Sequence, residues 1–98
     1  LDMENFIVYI LHSSNHDQFY IGQTSNLERR LEEHNHSESH AYTSRYRPWT
    51  LYASIALESR ASSVQVEKYL KKKPKDFIKR LAVDSGLVKY IIERYKKN

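Results

Sequence analysis

The run FIVYIL, Phe6 to Leu11, is apolar at every position and rich in β-branched and aromatic residues, which suits a β-strand covered on both faces. Such a strand is expected to sit centrally in its sheet. At 98 residues the chain has room for one hydrophobic core, so a single domain is expected over residues 3–96. Turn chemistry over Ser13 to Asp17 separates the first strand from a second, Gln18 to Gln23, and the two predict an antiparallel hairpin with a longer loop.

Ser25 or Asn26 can cap a helix that begins at Leu27 and runs to about His34, with Glu28 near its positive end. Leu27 and Leu31 form its inward stripe. Arg30 and His34 lie one turn apart on an adjoining strip, at the edge of the core. From Asn35 to Trp49 the chain is polar, with Arg45 and Arg47 interleaved among Tyr42, Tyr46 and Trp49, and it reads as an exposed loop ending at Pro48. Thr50 to Leu57 is a third strand. Ser62 and Gln65 then resemble a capping box opening a helix to about Lys73. Pro74 separates that helix from another near Asp76 to Ala82, and the triplet Asp84 to Gly86 breaks the chain before a last helix from about Leu87 to Lys96. The expected fold is α+β: a small three-stranded antiparallel sheet flanked by helices, in the order β-β-α-β-α-α-α.

Composition narrows the function. The absence of cysteine excludes a disulfide framework, a thiolate nucleophile and cysteine-based zinc sites. The longest apolar run is the six-residue stretch already named, far below a membrane span, so a soluble, cytoplasmic protein with no membrane partner is expected. A formal net charge of +4 and a pI of about 9.3 favour a polyanionic partner, through release of its counterions. An unselective basic surface would look the same on charge alone.

Within the helix that starts near Ser62, Val64, Glu67 and Leu70 recur at three-residue spacing, so a carboxylate stands between two apolar neighbours on nearly one face. A solvated helix charge is the ordinary reading of a glutamate, and the apolar flanks call for another explanation here. Tyr9 in the first strand, Tyr20-Ile21-Gly22 in the second, the helix residues Asn26, Arg30, His34 and Asn35, and Glu67 together resemble the GIY-YIG nuclease domain. The likeness covers nearly the whole chain in the family's order and is closest to the small stand-alone bacterial members, which also resemble Tyr42 to Trp49. Ile7-Val8-Tyr9 stands where the family has Gly-Ile-Tyr.

The resemblance implies an endonuclease that hydrolyses DNA phosphodiester bonds. Glu67 would hold one divalent metal ion, Mg²⁺ or Mn²⁺, which accepts one or two carboxylates and keeps most of its water. Arg30 would hold a phosphate oxygen through its fork of donors. Tyr9 or Tyr20 would assist removal of the proton from the attacking water, and His34 would bind phosphate or assist that transfer. Gly22 is expected to let backbone approach closely beside Tyr20.

Arg45, Arg47, Lys71, Lys72, Lys73 and Lys75 are candidate contacts to the nucleic-acid backbone, DNA before RNA. The lysine run also suits a helix C-terminus without any ligand. Core packing is the expected role of Trp49. His34, His36 and His40 do not fall at a recognised metal spacing. A non-catalytic nucleic-acid-binding module with the same fold is the alternative function, although such a module has no use for Glu67.

Overall fold

The computed structural model describes residues 6–36 and 41–96. Strand β1 spans Phe6–Ser13, β2 Gln18–Thr24 and β3 Thr50–Leu57; helices α1 to α5 span Leu27–His36, Ala41–Arg45, Arg60–Lys71, Lys75–Arg80 and Ser85–Arg94. The strands form one antiparallel sheet in the order β2-β1-β3. The wholly apolar strand is therefore the central one, as its sequence requires, and Val8, Tyr9, Ile10 and Leu11 are all buried.

Side chains alternate across a strand, and β1 uses that alternation to feed two separate cores. Val8 and Ile10 join Ile55, Val66, Leu70, Ile78 and Ile91 beneath α3, α4 and α5. Tyr9 and Leu11 point the other way and pack with Trp49 against Leu27 and Leu31 of α1. The sheet is thus covered on both faces by helices that arrive from different parts of the chain.

Local chemistry sets the helix ends. Asn26 caps α1, its side-chain oxygen accepting from the Arg29 amide at 3.1 Å. Helix α3 begins one turn before the expected Ser62, because Ser59 is the cap and accepts from the Ser62 amide at 3.1 Å. Ser62 is instead buried, and its hydroxyl donates to the Tyr95 carbonyl at 2.6 Å. Helix α5 likewise starts earlier than expected. Asp84 caps it by accepting from the Leu87 amide at 3.0 Å, and Gly86 lies inside its first turn.

The stretch expected to be an exposed loop is the largest departure. Helix α1 continues to His36, and a short helix, α2, precedes Trp49. Trp49 is buried, its indole donating to the Thr43 carbonyl at 2.7 Å. Asn35 clasps the Trp49 backbone, donating to its carbonyl at 3.0 Å and accepting from its amide at 2.7 Å. Trp49 takes the core position expected of it, and Ser44, Arg45 and Pro48 around it are exposed. The Arg47–Pro48 peptide bond is cis. Residues 37–40, and with them His40, lie outside the described residues. No helix among the described residues is long and apolar enough to cross a membrane.

Candidate active site at the edge of strand β2

Tyr9 pairs across the hairpin with Gly22, and Tyr20 pairs with Leu11. The two tyrosines are therefore diagonal neighbours on the α1 face, with stacked rings whose centroids lie 6.2 Å apart. His34 descends from α1 onto both, its ring centroid 4.5 Å from that of Tyr20 and 5.8 Å from that of Tyr9. It is wholly buried, although a polar residue near a helix end reads as exposed. The Tyr9 hydroxyl lies 2.9 Å from His34 Nε2.

Gly22 explains how Tyr9 reaches the sheet edge. A Cβ at this position would stand 2.5 Å from the Tyr9 hydroxyl oxygen and 2.7 Å from Cζ, closer than van der Waals contact permits. The phenol thus lies directly over the backbone of the edge strand. Glycine was expected to accommodate close approach beside Tyr20, but it is the ring of Tyr9 that occupies the space. Burial is the main cause that pushes the Tyr9 phenol well above its ordinary range. The neighbouring Tyr20 adds to this, Arg30 opposes it, and Glu67 and Glu33 raise it further. Arg30 and Glu67 therefore both act electrostatically on the Tyr9 hydroxyl.

One residue past Gly22, the strand alternation turns Gln23 toward α3. Its amide nitrogen donates to Glu67 Oε1 at 3.0 Å, and its own oxygen accepts from the Ser63 hydroxyl at 2.9 Å. The second carboxylate oxygen of Glu67 pairs with Lys71 Nζ at 2.6 Å. Glu67 is 18% exposed, Lys71 54%. Gln23 also lines a polar cleft of about 170 Å³ with Arg29, Arg30 and Arg60. Within it, Arg30 Nε lies 3.4 Å from Glu33. Tyr9, Tyr20, His34, Arg30 and Glu67 thus gather around a short segment of β2, reached from α1 on one side and from α3 on the other.

The remaining candidates are distributed differently. Arg47 Nε donates to the His34 carbonyl at 2.7 Å, which fastens the end of α1, while Arg45 is exposed on α2. Lys72 is the exposed C-cap of α3. Lys73 lies over the faces of Tyr69 and Phe77, with Nζ 4.6 and 5.1 Å from the ring centroids. Lys75 donates to the Asp17 carbonyl at 2.6 Å. His36 pairs with Glu32 at 3.5 Å. Sequence reasoning missed Gln23 and Ser63 entirely. Their only signal is the alternation that puts residue 23 on the face opposite Gly22, and that signal has meaning only once α3 is known to cover that face.

Residues 5–81 match the family model described as the GIY-YIG catalytic domain. The chain belongs to the GIY-YIG family. The matched span ends at the close of α4, and α5 beyond it completes the aliphatic core through Ile91. The chain is also similar to the UPF0213 protein YsiG of Lactococcus lactis subsp. lactis (strain IL1403), 29% identical over 101 residues that cover 98% of this chain and 96% of that protein. No solved structure gives a significant match. In the GIY-YIG frame, the tyrosine and glycine of the second signature triplet flank the Tyr9 phenol, which stacks on one and lies over the other.

Proposed function

We propose that the chain is an endonuclease that hydrolyses DNA phosphodiester bonds with a divalent metal ion and an activated water. The observation that carries this reading is the gathering around β2 of a guanidinium, a carboxylate and a phenol–imidazole pair: Arg30 lines the cleft beside Gln23, Gln23 donates to Glu67, and the Tyr9 hydroxyl is hydrogen-bonded to His34. A binding surface needs the cation and has no need of the other three.

Glu67 is the residue that would hold the metal. Among the described residues no group of three or more His, Asp or Glu side chains is arranged as a metal site. A single carboxylate still suits Mg²⁺ or Mn²⁺, whose remaining positions go to water and phosphate oxygens. Gln23 fixes one carboxylate oxygen, and the other pairs with the half-exposed ammonium of Lys71, a partner that can swing into solvent. Bound there, the cation would stabilise charge on the leaving oxygen and orient water.

The protein's own groups supply the rest. Water attacks phosphorus, a new P–O bond forms, and the bond to the leaving oxygen breaks. The guanidinium of Arg30 opposes the charge that builds on the non-bridging oxygens. A phenol that burial keeps protonated is a poor base by itself. Tyr9 instead passes a proton on: it donates its own to His34 Nε2, 2.9 Å away, while accepting one from water, so the net acceptor is the imidazole. Tyr20 packs against both rings and holds them in register.

A binding module that keeps the fold without cleavage is the second reading, and the Lys71 ammonium seated on Glu67 favours it. Incubating purified protein with supercoiled, branched and single-stranded DNA, with and without Mg²⁺ or Mn²⁺, alongside Glu67→Ala and Arg30→Ala, separates the two. Metal-dependent cleavage lost in both variants is the expected result. Binding without cleavage in all three proteins would establish the module, and equal nicking by all three would trace the activity to a contaminant.

A further inference from the structure

Glu67 has two carboxylate oxygens, and the fold treats them differently. Oε1 accepts from the Gln23 amide nitrogen at 3.0 Å, and Oε2 pairs with Lys71 Nζ at 2.6 Å. Gln23 lies on the edge strand β2, 44 positions from Glu67, whereas Lys71 is one turn along the same helix. Lys71 is 54% exposed, and an exposed pair at this spacing is weak and screened by salt. Oε2 can therefore exchange its partner. Oε1 can do so only by breaking a contact between strand and helix.

The orientation of Gln23 follows from the same chain of contacts. An ionised carboxylate only accepts hydrogen bonds, so Gln23 must turn its nitrogen to Glu67 and its oxygen away. That oxygen accepts from the Ser63 hydroxyl at 2.9 Å. The reversed amide would set oxygen against oxygen at Glu67, so the network admits one orientation. Ser63 is buried, and its hydroxyl also lies 2.7 Å from the Arg60 carbonyl. Helix α3 is already capped by Ser59, so the buried Ser63 hydroxyl is not needed as its cap. What Ser63 does in this position is hold Gln23.

We propose that Gln23, held by Ser63, is a positioning residue that makes Glu67 a one-oxygen ligand and so sets which divalent cation the site takes. Mg²⁺ is small, requires near-octahedral geometry and is satisfied by one or two carboxylates and water. Ca²⁺ takes more oxygens and commonly both from one carboxylate. With Oε1 committed to Gln23, Glu67 offers Oε2 alone. That suits Mg²⁺ and denies Ca²⁺ its second contact. The proposal rests on the reading of Glu67 as the metal ligand and adds to it the residue that selects the ion.

The test needs neither DNA nor cleavage. Free Mn²⁺ is counted by its electron paramagnetic resonance signal in the presence of the full-length protein, and Mg²⁺ and Ca²⁺ are compared as competitors for the bound Mn²⁺. In wild type, Mg²⁺ is expected to displace Mn²⁺ at lower concentration than Ca²⁺ does. Gln23→Met keeps the length of the side chain and removes its donor. It should weaken Mg²⁺ about tenfold and leave Ca²⁺ nearly unchanged, because the freed Oε1 can join the larger ion. Ser63→Ala should shift the ratio in the same direction by less. A merely structural role for Gln23 would weaken both ions alike and leave their ratio in place. That result, or a wild type that prefers Ca²⁺, would overturn the proposal and leave the metal assignment standing. Mn²⁺ binding equal in wild type and Glu67→Gln would overturn both together. The nuclease reading itself is decided separately, by the cleavage assay.

Discussion

The two faces of the sheet are built from one strand and from opposite materials. Beneath α3, α4 and α5 the core is aliphatic, with Val8, Ile10, Val66, Leu70 and Ile91 fully buried. Beneath α1 the core is small and mixed. Tyr9, Leu11 and Trp49 share it with buried His34 and Thr43, which are hydrogen-bonded with Tyr9 and Trp49 respectively. Burying polar groups stabilises little even when they are satisfied, and costs heavily when they are not. Strand β1 thus gives alternate residues to an aliphatic core and to the face where we place the proposed chemistry, and Gly22 makes room there for the Tyr9 phenol.

The comparison breaks most readily under changes that should affect one face alone. Ile10→Ala empties volume in the aliphatic core and is expected to cost about 3 kcal/mol in urea denaturation, a large share of a small domain's stability of about 5–15 kcal/mol. Its cleavage rate per folded molecule should stay near wild type. A rate loss as large as that of a site variant would end the division between faces.

Tyr9→Phe should do the reverse, lowering the cleavage rate about 100-fold, some 2.7 kcal/mol in barrier, while costing about 1 kcal/mol of stability. Its pH dependence follows from the raised phenol. Above the ordinary phenol value of 10.0 the unfolded chain releases this proton and the folded chain keeps it. The folded state then binds more protons, so wild-type stability falls as pH rises through that range. Urea midpoints of Tyr9→Phe should fall less steeply over the same interval.

Gly22→Ala forces a methyl group against the Tyr9 phenol and is expected to cost about 2 kcal/mol, with a loss of cleavage, because the displaced ring leaves His34. Substitution at the other glycine, Gly86→Ala, meets only Asp84 Oδ1 at 3.4 Å and should be tolerated.

The smallest effect belongs to the exposed ion pairs around the hairpin loop. A hydrogen bond from His12 is the first cause that lowers the Asp17 carboxyl, and Lys75 and Lys79 add to it. Its contribution is present above the unfolded carboxylate value of about 3.9 and is lost as pH falls through the lowered folded value. Asp17→Asn tests this cleanly, because asparagine also accepts the positive φ of 48° found there. The difference in urea midpoint from wild type should be slight at neutral pH and vanish in acid.

The scaffold was far more legible in the sequence than the site. Phe6 to Leu11 announced a central strand because continuous apolarity has few other uses, and Leu27 and Leu31 marked the inward side of α1 by helical spacing. The cap of α3 was misplaced because Ser59 and Ser62 are equally suited to the role; the contact that distinguishes them, Ser62 to Tyr95, spans 33 positions. Trp49 suggested packing, but its polar surroundings gave no sign that Asn35 and Thr43 would hold it by hydrogen bonds. His34 shows the same limit. Its type and spacing were plain, whereas its burial under Tyr9 and Tyr20 depends on tertiary structure. Gln23 and Ser63 are marked by nothing beyond strand alternation at residue 23, since an amide and a hydroxyl that orient a carboxylate look like any polar residues until their partner is in place.

If Glu67 is held for chemistry and not for the fold, as proposed, Glu67→Gln should leave stability nearly unchanged and abolish most of the activity. Glutamine keeps an oxygen to accept from Gln23, and losing the exposed i,i+4 pair with Lys71 costs only about 0.3–0.5 kcal/mol. The measurement is the single-turnover rate of DNA cleavage in Mg²⁺ by Glu67→Gln, taken on protein whose urea midpoint matches wild type. The expected result is a fall of at least about 1,000-fold, some 4 kcal/mol in barrier. A rate equal to wild type, on DNA that the wild type cleaves, would contradict the account.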